Sequence, residues 1–156
     1  MKHLQDASKE LMEHLIFALH HSMDLKRDGV DPMIPFAVVI KDANKTLKAF
    51  AGDTPEYADY MFEKTIKDED TDFVIYASDS YLTTDGKKYD AVLLKAYDKN
   101  DIEIYLVGQK FKPKSGSDNF EQIGNPGFLG TVVNNFSNKE NSANKNSTKK
   151  KPWWKL

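Results

Sequence analysis

The sequence predicts an α+β domain. It is expected to hold a five-stranded mixed or antiparallel sheet in α-β-β-α-β-β-β order, with both helices on one face. Three observations predict it. Two stretches repeat apolar residues at helical spacing, five segments have strand-like apolar patterning, and turn residues separate them. A chain of 156 residues suits one domain with an extension.

Residues 4 to about 24 read as the first helix. Leu4, Ala7, Leu11, Met12, Leu15, Ile16, Ala18, Leu19 and Met23 fall on one broad face at 100° per residue, and Gly29 and Pro32 end it. Phe17 projects from the polar side, as a lone aromatic or as a contact for a partner, a second copy or the tail. Residues 35–40 form a short strand that is apolar on both faces. Asp42 to Lys45 is turn chemistry, and residues 46–50 return as a second strand. Thr54, Pro55 and Glu56 then make a helix start, with Thr54 as N-cap. This second helix runs to about Lys67, with Ala58, Met61, Phe62, Thr65 and Ile66 inward.

A meander of three strands follows, over residues 73–84, 89–97 and 102–111. Asp85-Gly86 is the strongest hairpin signal in the chain. These elements define a domain over 1–111. Residues 112–136 read as a loosely docked extension, irregular or a short helix or strand, because Gly124, Pro126, Gly127 and Gly130 interrupt its apolar residues. Residues 137–156 read as a disordered basic tail, since 137–148 carry no large apolar side chain to offset ordering entropy.

Charge is distributed unevenly. Residues 134–156 hold six lysines and one glutamate, a charge of +5, whereas the chain before them carries −7. The tail closes on Lys149, Lys150, Lys151, Pro152, Trp153, Trp154, Lys155 and Leu156, and it contains both tryptophans of the protein. Cations beside large amphipathic rings suit a groove on a protein partner, the chain's own acidic body, or an anionic membrane surface. Stacking on single-stranded nucleic acid is the weakest of these readings. The strand tyrosines Tyr76, Tyr81, Tyr89, Tyr97 and Tyr105 could line a cleft, but an acidic body without interleaved cations disfavours a nucleic-acid platform.

Several chemistries lack their residues. With no cysteine there is no disulfide, thiolate metal site or cysteine nucleophile. His3, His14 and His21 share one sector of the first helix, but seven residues along a helix is ~10.5 Å, too far to share one ion. No phosphate-binding glycine loop and no G-x-S-x-G elbow occurs. No cofactor and no metal is implied. No apolar run approaches the ~18–20 residues that cross a bilayer. The apolar run 15–19 is too short for a secretory signal, and the protein is expected to be cytoplasmic.

One carboxylate pair remains. A two-residue turn at Asp85-Gly86 sets Tyr81 opposite Asp90, with Asp79 diagonal to Asp90 on the same face. Two close carboxylates can divide acid and base roles. Asp79, Asp90 and Tyr81 are thus the weak catalytic candidates.

The helix–hairpin–helix–meander order over about residues 4–111 resembles that of the roadblock, longin and profilin-like group. That resemblance implies a scaffold or a dimerising adaptor. The expected function is therefore a small non-catalytic binding or adaptor domain with a tethered docking peptide at residues 149–156, and a homodimer is among the expected partners. Deleting that peptide is expected to abolish partner capture. The alternatives are a small acid–base enzyme built on Asp79 and Asp90 in a tyrosine-lined cleft, and a weak peripheral membrane protein.

Overall fold

The computed structural model describes residues 3–51 and 54–136. A 3-10 turn, Leu4–Asp6, leads into α1, Lys9–Arg27. The first helix thus starts later than residue 4, because Ser8 is its N-cap. The Ser8 hydroxyl accepts the Leu11 N–H at 3.1 Å and donates to the Asp98 carboxylate at 3.3 Å, which pins the helix start to the distant meander. β1, Phe36–Lys41, and β2, Asn44–Ala49, form a hairpin. Asp42 and Ala43 form its two-residue turn, both at positive φ as a primed turn requires. α2, Pro55–Glu69, has the expected cap: Thr54 accepts the Tyr57 N–H at 3.2 Å. The meander comprises β3 (Phe73–Thr84), β4 (Lys87–Asp98) and β5 (Glu103–Lys112).

Two expectations need correction. The sheet has six strands, in order β2-β1-β3-β4-β5-β6, and every neighbouring pair is antiparallel. The sixth, β6, is Glu121–Val133, inside the segment expected to dock loosely. Its glycines tolerate the irregular ladder that would break a helix: Gly124 and Gly130 take positive φ, and the register shifts twice along β5. Buried Gln109 mends the second irregularity. Its amide donates to the carbonyls of Lys110, Ile123 and Gly124 at 2.9, 3.1 and 3.1 Å, and its oxygen accepts from Gln122 at 3.1 Å.

The second correction concerns the helices, which cover opposite faces. Phe36, Val38 and Ile40 share a core with Leu11, Leu15, Leu19 and Met23 of α1, together with Ile75, Leu94 and Val107. Ala37 and Val39, the alternate residues of the same strand, pack with Ala58, Phe62 and Ile66 of α2, with Val74, Tyr76 and Tyr97. A strand that is apolar on both faces demands a cover on both, at ~1.5–3 kcal/mol per fully buried large side chain. α2 spans the crossover between β2 and β3, which run parallel on either side of β1.

Phe17 and Phe136 each meet a cation, the second being the Lys67 ammonium 5.6 Å from the ring centre. The half-exposed ring of Phe17 lies under the Lys45 ammonium at 3.9 Å, so it braces α1 against the start of β2. Phe136, where the described chain ends, packs edge-on to Tyr97 at 6.4 Å on the α2 side. Its position is set by Asn134, which is wholly buried. The Asn134 amide donates to the carbonyls of Asp98 and Asp101 at 3.1 and 2.8 Å, while its oxygen accepts the Phe136 N–H at 2.9 Å.

Candidate functional site

On the α1 side, at the end of the sheet beyond the helix, a cleft of about 220 Å³ opens between the last turn of α1, the loop after it, and β3, β4 and β5. Lys26, Asp31, Asp79, Tyr81, Asp90, Phe111 and Lys114 line it. The hairpin register is the expected one: Asp85-Gly86 is the turn and Tyr81 pairs with Asp90. Asp79 and Asp90 thus reach one cleft.

The cleft is organised by a residue that periodicity did not single out. Lys26 is 4% exposed and lies in the last turn of α1, where a cation also suits the helix dipole. Its ammonium donates to Asp79 Oδ2 at 2.8 Å, contacts Oδ1 at 2.7 Å, donates to the Val30 carbonyl at 3.2 Å, and lies 5.4 Å from the Phe111 ring centre. Asp79 Oδ2 also accepts the Met33 N–H at 2.7 Å. Asp79 is therefore the fastener between α1, the loop and β3. Both of its carboxylate oxygens are thus engaged, which commits the side chain to this contact. Asp31 stands 3.8 Å from the same ammonium but is 78% exposed.

The expected lining of tyrosines is not formed. Strand alternation sends Tyr81 to the cleft and Tyr76 to the opposite face, under α2. Tyr105 is buried against α1 and donates to Asp101 at 2.8 Å, and Tyr97 is buried beside Phe136. Tyr89 meets the Lys87 and Lys110 ammoniums at 5.1 and 4.7 Å. The cleft is also smaller than the ~300–1,000 Å³ of ordinary ligand sites, so it fits a small polar group at most.

A second charged cluster lies beneath α2, and the sequence reading missed it. Lys95 and Asp59 are 3% and 7% exposed, with Nζ and Oδ1 3.7 Å apart. The ammonium faces the rings of Phe62 and Tyr76 at 4.8 and 5.2 Å. Burial pulls the Lys95 ammonium down to about 8, with Asp59 and Glu63 acting against it. Burial pushes the Asp59 carboxyl up, against the pull of Lys95 and a hydrogen bond with Tyr76. The one available signal was a lysine at an inward position of an otherwise apolar strand.

Farther along the same face, α2 no longer covers the sheet. Leu82, Leu93 and Leu106 are partly exposed there and Leu129 is 44% exposed. Leu82, Leu93 and Leu129 meet over Gly108, whose missing Cβ would lie 2.7 Å from a Leu82 methyl, 3.2 Å from Leu129 and 3.3 Å from Leu93. Together these side chains make an apolar shelf running from β3 to β6.

Among the described residues, no group of three or more His, Asp or Glu side chains is placed to hold a metal ion. No helix among them is long and apolar enough to cross a membrane. The predicted docking residues Lys149, Lys150, Lys151, Trp153, Trp154, Lys155 and Leu156 lie outside the described residues. No family model, curated protein or solved structure matches this chain.

Proposed function

We propose that this chain is a small non-catalytic binding or adaptor domain whose docking surface is the leucine shelf. The observation that carries this reading is the shelf itself: Leu82, Leu93 and Leu129 meet over Gly108 beside Leu106, with Leu129 exposed and the other three partly so, and the group reaches the edge strand β6. Apolar patches on a domain surface tend to mark interaction sites. A second copy or a partner protein is the matching ligand class. The acid–base alternative has one observation in its favour, the arrival of Asp79 and Asp90 at a common cleft. It is the weaker reading because Lys26 and Met33 occupy Asp79.

Affinity capture from cells that make the protein separates the two. The binding reading expects a partner retained by wild type and by Asp90→Asn, and lost with Leu129→Asp. A partner or substrate turnover that depends on Asp90 and ignores Leu129 would overturn it.

A further inference from the structure

We propose that residues 149–156 dock in cis on the leucine shelf and act as a built-in competitor for it. This rests on the reading of the shelf as a docking surface and names its resting occupant. Three observations meet there.

The described chain ends on the correct face. Val132 and Phe136 both pack with the α2-side core, and the Asn134 clamp holds the chain there. Leu129 lies seven residues before Phe136, or ~23 Å along a strand.

The length is sufficient. Twelve residues, 137–148, separate Phe136 from Lys149, and their contour of up to ~40 Å exceeds that distance. A tether of this size gives an effective concentration in the ~mM range, so even weak contacts are occupied.

Charge is complementary on the α2 side of the shelf, whereas Lys87 and Lys110 stand over Tyr89 on its other rim. Leu106 pairs across the ladder with Lys95, where Glu63 of α2 acts on both Lys95 and Asp59, and Glu56 on Asp59. The shelf is thus an apolar floor beside an acidic helix. The segment brings Lys149, Lys150, Lys151 and Lys155 next to Trp153, Trp154 and Leu156, an apolar set flanked by cations. The rings match the leucines and the lysines match α2.

Because Trp153 and Trp154 are the only tryptophans, their emission reports on this segment alone. The test uses the full chain. Steady-state emission and iodide quenching are measured over a wide range of protein concentration, for wild type, Leu129→Asp and Glu56→Lys. Both substitutions fall at exposed positions, and circular dichroism checks the fold. The proposal expects blue-shifted emission with several-fold weaker quenching than free tryptophan, independent of concentration. Leu129→Asp should shift the emission red and restore quenching, and Glu56→Lys should do so in part. Red-shifted, freely quenched emission from wild type overturns the proposal. So does protection that grows with concentration, which makes a second copy the occupant, or protection that neither substitution changes, which places the rings elsewhere. Partner capture is read separately. Trp153→Ala/Trp154→Ala should raise capture by the shelf, the reverse of what a peptide docking in trans requires. A shelf that captures a partner without protecting the tryptophans sinks the cis contact and leaves the binding reading intact.

Discussion

The Lys26 ammonium lies 2.7 and 2.8 Å from the two carboxylate oxygens of Asp79, across 53 residues of sequence, with the lysine only 4% exposed. A buried charge with one partner removed is costly. Lys26→Met is expected to destabilise the domain by about 3 kcal/mol, near the lower end for such pairs because Asp79 keeps some solvent. The melting temperature should fall by about 6–12 °C. Lys26→Met/Asp79→Leu should recover most of the loss. A double-mutant cycle in urea measures the coupling, and additive single effects would remove the fastener role.

Lys95 gives a pH signature. Its folded-state value is about 8, below the ordinary 10.5, because of burial. Below pH 8 both states hold the proton, and the contribution is flat. From pH 8 to 10.5 the folded state has released it while the unfolded state retains it, so stability rises with pH through that window. The advantage of wild type over Lys95→Met should therefore grow from pH 8 to 10.5 and stay level from pH 6 to 7.5. Denaturant melts at each pH provide the check.

Breaking the same pair at neutral pH should be asymmetric. Lys95→Met alone leaves the Asp59 carboxylate buried beside Phe62 and Tyr76, at a cost of about 3–5 kcal/mol. Replacing both, as Lys95→Met/Asp59→Leu, should be neutral or stabilising, since two desolvation penalties vanish together. A double variant less stable than Lys95→Met would show that the pair contributes net stability.

Asn134→Ala removes the clamp at the end of β6. Two carbonyls, of Asp98 and Asp101, lose their amide donor in a buried site, which costs about 1–3 kcal/mol. Hydrogen exchange should accelerate first at Phe136 and along the β5–β6 ladder near Val132, and much less in the β1–β3 ladder. Uniform acceleration across the sheet would mean that the clamp serves the whole domain.

Gly108→Ala probes the shelf from beneath. The new Cβ meets methyl ends of Leu82, Leu93 and Leu129, which can swing toward solvent. The expected loss is about 1 kcal/mol, the lower bound for overpacking, measured by urea unfolding. A loss several times larger would mean that something holds the leucines down.

Much of the local structure was legible in the residues. Thr54 and Pro55 announce α2, and Asp85-Gly86 sets a register in which Tyr81 meets Asp90. Both signals are local: a cap acts within one turn and a two-residue loop dictates its own strand pairing. β1 also carried its own correction, since a strand apolar on both sides needs two covers. β6 was obscured because its glycines and Pro126 read as breakers, whereas at an edge they are tolerated.

By itself, then, the sequence determined the α+β class, the start of α2, the β3–β4 register, the charge contrast between body and tail, and the absence of cysteine chemistry. α1 starts later than its apolar period suggests, at the Ser8 cap, and the first hairpin turns on Asp42 and Ala43 alone, so that Asn44 and Lys45 already belong to β2. Only the tertiary structure decided which face each helix covers, that β6 completes the sheet, and that Lys26 and Lys95 are buried against Asp79 and Asp59. Those partners are 53 and 36 residues apart. An ion pair closed by packing leaves no period in either segment. It exists because α1 and α2 pack on opposite faces of the sheet and carry Lys26 and Asp59 onto their strand partners.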